Sequence, residues 1–135
     1  MGILKNCINN KDIDTVPIWF MRQAGRYLPE FREIRSKNPD FVKLCLNPEL
    51  SKEITIQPLK RFSFDAAIIF SDILLIPYSL GQELKFEKNF GPRLGDLEIN
   101  KILEISDDNI LKKLKPVYKL IKMTSMDEIL TNKDL

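Results

Sequence analysis

Histidine is absent from this sequence, and cysteine occurs only at Cys7 and Cys45. Without histidine, the chain cannot by itself build a His–Cys or His–carboxylate nucleophile system, and a zinc site within it is disfavoured. The two cysteines belong to no Cys-x-x-Cys pair, so we expect both to be reduced, buried small hydrophobes. Chemistry in this chain must therefore rely on carboxylates, arginines, lysines and tyrosines.

Long apolar runs and an excess of one charge are also missing. No apolar run approaches the roughly 20 residues of a membrane-spanning helix, and the polar amino terminus does not resemble a signal peptide. A net charge of +2, spread along the chain, argues against a nucleic-acid or membrane surface as partner. We expect a cytoplasmic chain whose 135 residues are enough to bury one sizeable core.

The apolar pattern alternates between strand-like and helix-like segments. Near-continuous apolar runs at residues 16–21 and 66–70 predict two buried parallel strands. Helical spacing predicts helices over residues 3–9, 29–36, 40–46, from 48 towards 64, and from 106 onwards. Asn47 and Pro48 are a typical helix start, and Pro58 predicts a kink. Strands that alternate with helices predict an α/β domain with a parallel sheet.

Between the second strand and the last helix the pattern is weaker. Residues 84–87 alternate apolar and charged side chains, which predicts a half-exposed strand. Residues 90–92 contain Gly91 and Pro92 and predict a turn. Residues 93–105 are mixed in character and are interpreted as a loop.

Two arginines four residues apart, Arg22 and Arg26, follow the first predicted strand. Loops after strands are where binding groups collect, and arginine holds carboxylates in a two-pronged geometry. Only six of the 21 basic residues are arginines, yet two lie in this loop, with Gly25 between them. The pattern indicates a site for an acidic small molecule, although a solvated or salt-bridged arginine pair would have the same spacing.

Two longer motifs carry a family resemblance. Residues 21–32, Met-Arg-Gln-Ala-Gly-Arg-Tyr-Leu-Pro-Glu-Phe-Arg, and residues 66–74, Ala-Ala-Ile-Ile-Phe-Ser-Asp-Ile-Leu, resemble the two amino-terminal motifs of the uroporphyrinogen decarboxylase family. The resemblance implies that residues 1–135 are the amino-terminal portion of one (β/α)8 TIM-barrel domain. Because such a barrel takes roughly 250 residues, we expect the chain to be a fragment, with a naturally short protein as the alternative.

The resemblance also implies an activity. The family removes carbon dioxide from the four acetate side chains of uroporphyrinogen III and leaves coproporphyrinogen III, in haem biosynthesis. It uses neither a cofactor nor a metal, and the complete enzyme is expected to be a cytoplasmic homodimer. The implied partner is a small-molecule tetrapyrrole, with no nucleic acid and no membrane.

Site residues carry over from the two motifs. Asp72 matches the central carboxylate that binds the pyrrole N–H groups and stabilises the cationic transition state, although it could simply cap the helix that follows. Arg22 and Arg26 match the arginines that bind substrate carboxylates, and one of them is a candidate proton donor. Gln23, Ala24 and Gly25 are expected to line the same loop.

The resemblance also gives an interpretation of Phe41 and Arg32. Phe41 matches a position that touches the macrocycle, with a core aromatic as the alternative. Arg32 belongs to the motif and is interpreted as structural.

Later strands of the family's barrel supply a tyrosine, a hydroxyl-bearing residue and a histidine that this chain does not contain. We therefore expect no turnover by the 135 residues alone. Three alternatives remain: a non-catalytic porphyrinogen-binding fragment, a corrinoid-linked methyltransferase of the same superfamily, and a chain with no function by itself. The intact arginine motif argues against the methyltransferase, which relies on zinc held by histidine and cysteine.

Overall fold

A computed structural model describes residues 2–20, 27–87, 90–96 and 98–135. Within those ranges the chain is mostly helical, with one short hairpin. In chain order the elements are α1 (Ile3–Ile8), α2 (Pro29–Lys37), α3 (Phe41–Cys45), α4 (Pro48–Arg61), α5 (Leu75–Ser79), β1 (Leu84–Glu87), β2 (Gly91–Leu94), α6 (Ile99–Leu103), α7 (Asp107–Ser125) and a 3-10 turn (Glu128–Leu130). None of the described helices has both the length and the apolarity to span a bilayer.

The long helix α4 begins where its sequence predicts. Asn47 is the N-cap, and its side-chain oxygen accepts a hydrogen bond from the Leu50 N–H at 3.0 Å. Pro48 occupies the first turn, where its missing N–H has no helical partner to lose. Pro58 lies inside the helix without ending it. Asp40 caps α3 in the same way, since its carboxylate accepts from the Lys43 N–H at 3.1 Å.

The core forms around α4, which packs against α7, α3 and α2. Ile54 of α4 and Leu120 of α7 are fully buried. Buried side chains of the main cluster come from six regions of the chain and are Leu28, Phe31, Ile34, Leu44, Cys45, Ile54, Phe70, Leu75 and Leu114. A smaller cluster contains Leu59, Phe64, Ala67 and Leu130. Helices far apart in sequence thus share one apolar interior, which stabilises them far more than helix propensity alone.

A buried hydroxyl joins α4 to the segment that follows it. The Thr55 hydroxyl donates to the Ser51 carbonyl at 2.7 Å and accepts from the Phe70 N–H at 2.9 Å. Thr55 is 2% exposed, so water cannot replace either partner. The bond therefore fixes the backbone at Phe70, two residues before Asp72.

The two predicted buried strands are wrong for the residues described. Residues 16–20 form no strand, and residues 66–70 contribute a single parallel bridge between Ala66 and Asp134. Ile18 does lie beside Asp65: its N–H donates to the Asp65 carboxylate at 2.8 Å, and its carbonyl accepts from the Asp65 N–H at 3.0 Å. An apolar run favours a strand, but a strand also needs a ladder of consecutive backbone pairs on its edges. Isolated bonds of this kind do not supply that ladder.

The strand predicted at residues 84–87 is confirmed. The turn predicted at 90–92 is right only for Phe90, and the loop predicted at 93–105 is wrong at 93–94 and 99–103. β2 begins at Gly91 and pairs antiparallel with β1, with Leu84 opposite Leu94 and Phe86 opposite Pro92. Proline is tolerated because a two-stranded ribbon leaves outer edges where no N–H is needed. Residues 99–103 form α6.

The two ends of the described chain meet at Asp134. Its carboxylate accepts hydrogen bonds from the Gly2 N–H at 3.2 Å and the Lys5 N–H at 2.8 Å, so it caps α1. Its backbone pairs with Asp65 and Ala67, at 3.0 and 2.8 Å. A Cβ at position 2 would lie 2.8 Å from the Asp134 nitrogen, which explains why glycine fits there.

Replacing Thr55 by valine keeps the shape of the side chain and removes the acceptor for the Phe70 N–H. We expect a loss of about 1–3 kcal/mol in the free energy of unfolding, because a buried N–H is left without a partner. Urea denaturation measures it. Thr124→Val is the matched control: Thr124 is also fully buried, and its hydroxyl donates to the Leu120 carbonyl at 2.8 Å. No described N–H depends on Thr124, so equal losses in the two variants would contradict this account.

Candidate active site

A cleft of about 640 Å³ lies where α2, the start of α3, the segment before α5 and the β1–β2 hairpin meet. Its lining includes one carboxylate, Asp72, and two guanidinium groups, Arg32 and Arg35. The other lining residues are Phe31, Ser36, Phe41, Leu74, Phe86, Gly91 and Pro92. Charged groups of both signs against aromatic walls suit an acidic ligand with an apolar body.

A second cleft of about 750 Å³ lies beside α1 and is lined mainly by apolar side chains, among them Leu4, Ile8, Trp19 and Ile68. Its one acidic residue, Asp134, already accepts two backbone N–H groups. The chemistry of the lining therefore favours the cleft that contains Asp72 as the candidate site.

Asp72 is half-buried at the end of the predicted second strand. Its Oδ1 accepts a hydrogen bond from the Leu74 N–H at 2.8 Å, and its carbonyl accepts from the Leu75 N–H at 3.1 Å. This bond closes a turn ahead of α5, whose N-cap is Leu74, so the alternative that Asp72 caps the helix is wrong. In the described part of the chain, Oδ2 accepts no hydrogen bond, so one oxygen is left for another donor.

Phe41 is half-buried and belongs to both the core and the cleft. Its ring makes edge-to-face contacts with Phe70, at 6.0 Å between centroids, and with Phe86, at 5.4 Å. The contact with Phe86 attaches the hairpin to α3. One face of the cleft is therefore an aromatic wall, while a role for Phe41 in ligand contact stays a prediction.

Arg35 lines the cleft and was not singled out from the sequence. Its Nη1 donates to the Asn38 carbonyl at 2.5 Å, and its guanidinium carbon lies 5.6 Å from the centroid of the Phe41 ring. These contacts hold the guanidinium in place. The signal in the sequence was the spacing: Arg32, Arg35 and Ser36 are three and four positions apart, so they share one face of α2.

Five of the predicted site residues lie outside the described residues: Arg22, Gln23, Ala24, Gly25 and Arg26. The residues on each side are described. Phe20 contacts the Phe64 ring edge-to-face at 5.4 Å, and Leu28 is 2% exposed in the main core. Asp72 and Phe41 are the predicted site residues that the described structure brings to one cleft.

Cys45 lies behind the cleft and is 1% exposed. Burial, together with the negative charge of Asp72, raises the pKa of its thiol to about 12, while Arg35 opposes that increase. The expectation of a buried, reduced cysteine is right for Cys45 and wrong for Cys7, which is free but exposed. Cys7 belongs to α1, and none of the residues of α1 is buried.

No group of three or more histidine, cysteine, aspartate or glutamate side chains that could hold a metal ion occurs in the part of the chain that is described. The candidate site therefore has the chemistry of one carboxylate and two arginines. Such a cleft has the charged groups that an acidic small molecule would need.

Comparison with known proteins identifies the family. The profile of the family described as "Uroporphyrinogen decarboxylase (URO-D)" matches residues 3–129. A relative from Chelativorans sp. (strain BNC1), named uroporphyrinogen decarboxylase, is 49% identical over 119 residues, which are 88% of this chain and 35% of the relative. Relatives of the same name from Brucella anthropi and Brucella ovis are 47% and 46% identical over 116 residues, which are 86% of this chain and 34% of each relative.

The chain belongs to the uroporphyrinogen decarboxylase family. It spans about a third of the length of the curated relatives that it matches. The resemblance carried by the motifs at residues 21–32 and 66–74 is thereby confirmed.

The two cysteines should differ sharply in reactivity. Because only the thiolate is nucleophilic, iodoacetamide at about pH 8 should modify Cys7 in the folded chain and leave Cys45 intact. Mass spectrometry should find one adduct in the folded chain and two in urea, and Cys7→Ser should take none while folded. Modification of Cys45 in the folded chain at the rate of Cys7 would contradict its burial.

Proposed function

We propose that this chain provides the amino-terminal part of a uroporphyrinogen decarboxylase, a carboxy-lyase built on one (β/α)8 barrel. The reaction would convert the four acetates of uroporphyrinogen III to methyl groups and release four molecules of carbon dioxide. The observation that carries the proposal is the cleft that joins Asp72 to Arg32, Arg35 and Phe41. The names of the relatives support the same reaction.

The substrate has eight carboxylates, so binding it requires fixed positive charge. Arg35 meets this requirement because Asn38 and Phe41 hold its guanidinium at the cleft. We propose that Arg22 and Arg26 add two further guanidinium groups, with Gln23, Ala24 and Gly25 beside them. Guanidinium groups bind carboxylates in pairs of parallel hydrogen bonds, which also orients the substrate.

Asp72 would stabilise the charge that develops during the reaction. Protonation of a pyrrole carbon makes the ring cationic, and the acetate C–C bond then breaks, so that its electron pair neutralises the ring. The remaining carbon takes a proton and becomes a methyl group, and the ring carbon releases the proton that it took first, which restores the neutral pyrrole. A carboxylate near the pyrrole N–H groups lowers the energy of the cationic state, and the apolar neighbours Phe41 and Leu74 strengthen that effect.

Asp72 is available for this role because one of its oxygens is already fixed. The Leu74 N–H holds Oδ1, which orients the carboxylate and leaves Oδ2 for the substrate. The hydrogen bond to the Leu74 N–H and the catalytic role are therefore compatible. For the complete enzyme we further propose a cytoplasmic homodimer, as the family resemblance implies.

A chimeric enzyme tests the proposal directly. The aligned 119 residues of the Chelativorans relative are replaced by those of this chain, and coproporphyrinogen formation from uroporphyrinogen III is followed by fluorescence after oxidation. We expect the chimera to be active and the 135-residue chain alone to be inactive. A folded but inactive chimera would count against a catalytic role. If the chain alone still bound a porphyrin, the alternative of a non-catalytic binding fragment would be favoured.

Asp72→Asn in the chimera separates catalysis from the structural hydrogen bond to the Leu74 N–H. Asparagine keeps an oxygen for the Leu74 N–H and removes the negative charge, so we expect kcat to fall by about 10²–10³-fold with the unfolding free energy unchanged within about 0.5 kcal/mol.

Asp12→Asn, in an exposed loop, is the control and should keep full activity. If Asp72 only held the turn before α5, Asp72→Asn would be as active as the parent enzyme, and Asp72→Ala would lose stability alone.

A further inference from the structure

Arg32 lies on the face of α2 that lines the cleft, together with Arg35 and Ser36. Its side chain is exposed, whereas Arg35 is half-buried. The two guanidinium groups therefore differ in depth: Arg35 belongs to the wall beside Phe41, and Arg32 belongs to the opening.

The acidic residues of α2 do not neutralise Arg32, because both already have other partners. Glu30 binds Arg61 of α4 through two hydrogen bonds, at 2.5 and 3.0 Å. Glu33 binds Lys37 at 2.7 Å. In each case the hydrogen bond to the basic side chain lowers the pKa of the carboxyl group, so both remain ionised and engaged at neutral pH.

Among the described residues, the Arg32 guanidinium is left without an ion-pair partner. Arg35 has the Asn38 carbonyl and the Phe41 ring, whereas the side chain of Arg32 has no hydrogen bond or ion pair among the residues described. It shares the cleft with Asp72, which already accepts the Leu74 N–H. An unpaired guanidinium at the opening of a cleft adds positive charge where an anionic ligand enters.

We infer that Arg32 is a binding residue that takes a peripheral carboxylate of the polycarboxylate ligand at the cleft opening. This inference rests on the proposed function and changes the interpretation of Arg32 as structural. Arg32 would make this contact equally with the bound substrate and with the transition state. It therefore contributes to KM and not to kcat.

Binding of uroporphyrin, the stable oxidised octacarboxylate, to the 135-residue chain provides the test. At about 50 mM salt, Arg32→Gln should weaken binding by about 5–20-fold, and at about 500 mM salt the difference should shrink because an exposed charge contact is screened. Arg32→Lys should recover part of the loss.

Lys37→Gln is the matched control. It removes one positive charge from the same helix, but Lys37 is paired with Glu33 and does not line the cleft. Its affinity should stay within about twofold of the parent chain. Equal effects of Arg32→Gln and Lys37→Gln would overturn the inference, because net charge alone would then explain both.

The chimera distinguishes failure of this inference from failure of the proposed function. If the chimera decarboxylates uroporphyrinogen and Arg32→Gln raises its KM by about 5–20-fold with kcat unchanged, the inference and the proposed function are both supported. If it decarboxylates with KM unchanged in Arg32→Gln, the inference fails and the function stands. If it is inactive but uroporphyrin binding depends on Arg32, the function fails and the binding role stands. If the chain alone binds no uroporphyrin, the effect of Arg32→Gln on the KM of the chimera decides whether the inference holds.

Discussion

The hydrogen bond from the Phe70 N–H to the Thr55 hydroxyl is the constraint on which the candidate site depends. Thr55 is fixed in turn by the Ser51 carbonyl, inside a helix that is buried against α7 and α3. The position of Asp72 is therefore set by a chain of contacts that begins in the core. In the absence of water, a buried N–H has no other way to be satisfied, which makes this link strong although it is a single bond.

Local rules predicted five of the described helices because the relevant contacts are local, whereas the short helices α5 and α6 were missed. The Asn47 side chain reaches the N–H three residues later, and Pro48 needs no partner, so both signals are complete within one turn. The strands at 16–21 and 66–70 failed because an apolar run says nothing about which segment will pair with it. The β2 strand was missed since Gly91 and Pro92 are typical of turns, and its pairing with β1 is a tertiary contact.

The prediction of the site was also correct for some residues and incomplete for others. Asp72 and Phe41, identified by family resemblance, do line one cleft. Arg35 could not be recognised from its spacing alone, because its place at the cleft depends on the Phe41 ring and the Asn38 carbonyl. The aromatic partner of Phe41, Phe86, comes from the hairpin 45 residues later. Contacts between distant elements give these residues their surroundings, and no local pattern encodes them.

The carboxylate of Asp134 has a consequence for the order of events during synthesis. It provides the cap for α1, yet it is separated from Lys5 by 129 residues. At about 5–20 residues per second, a ribosome needs roughly 6 to 26 s to pass from one to the other. A six-residue helix has little stability without such a cap. α1 therefore settles only after residues translated much later have emerged, because its cap comes from Asp134.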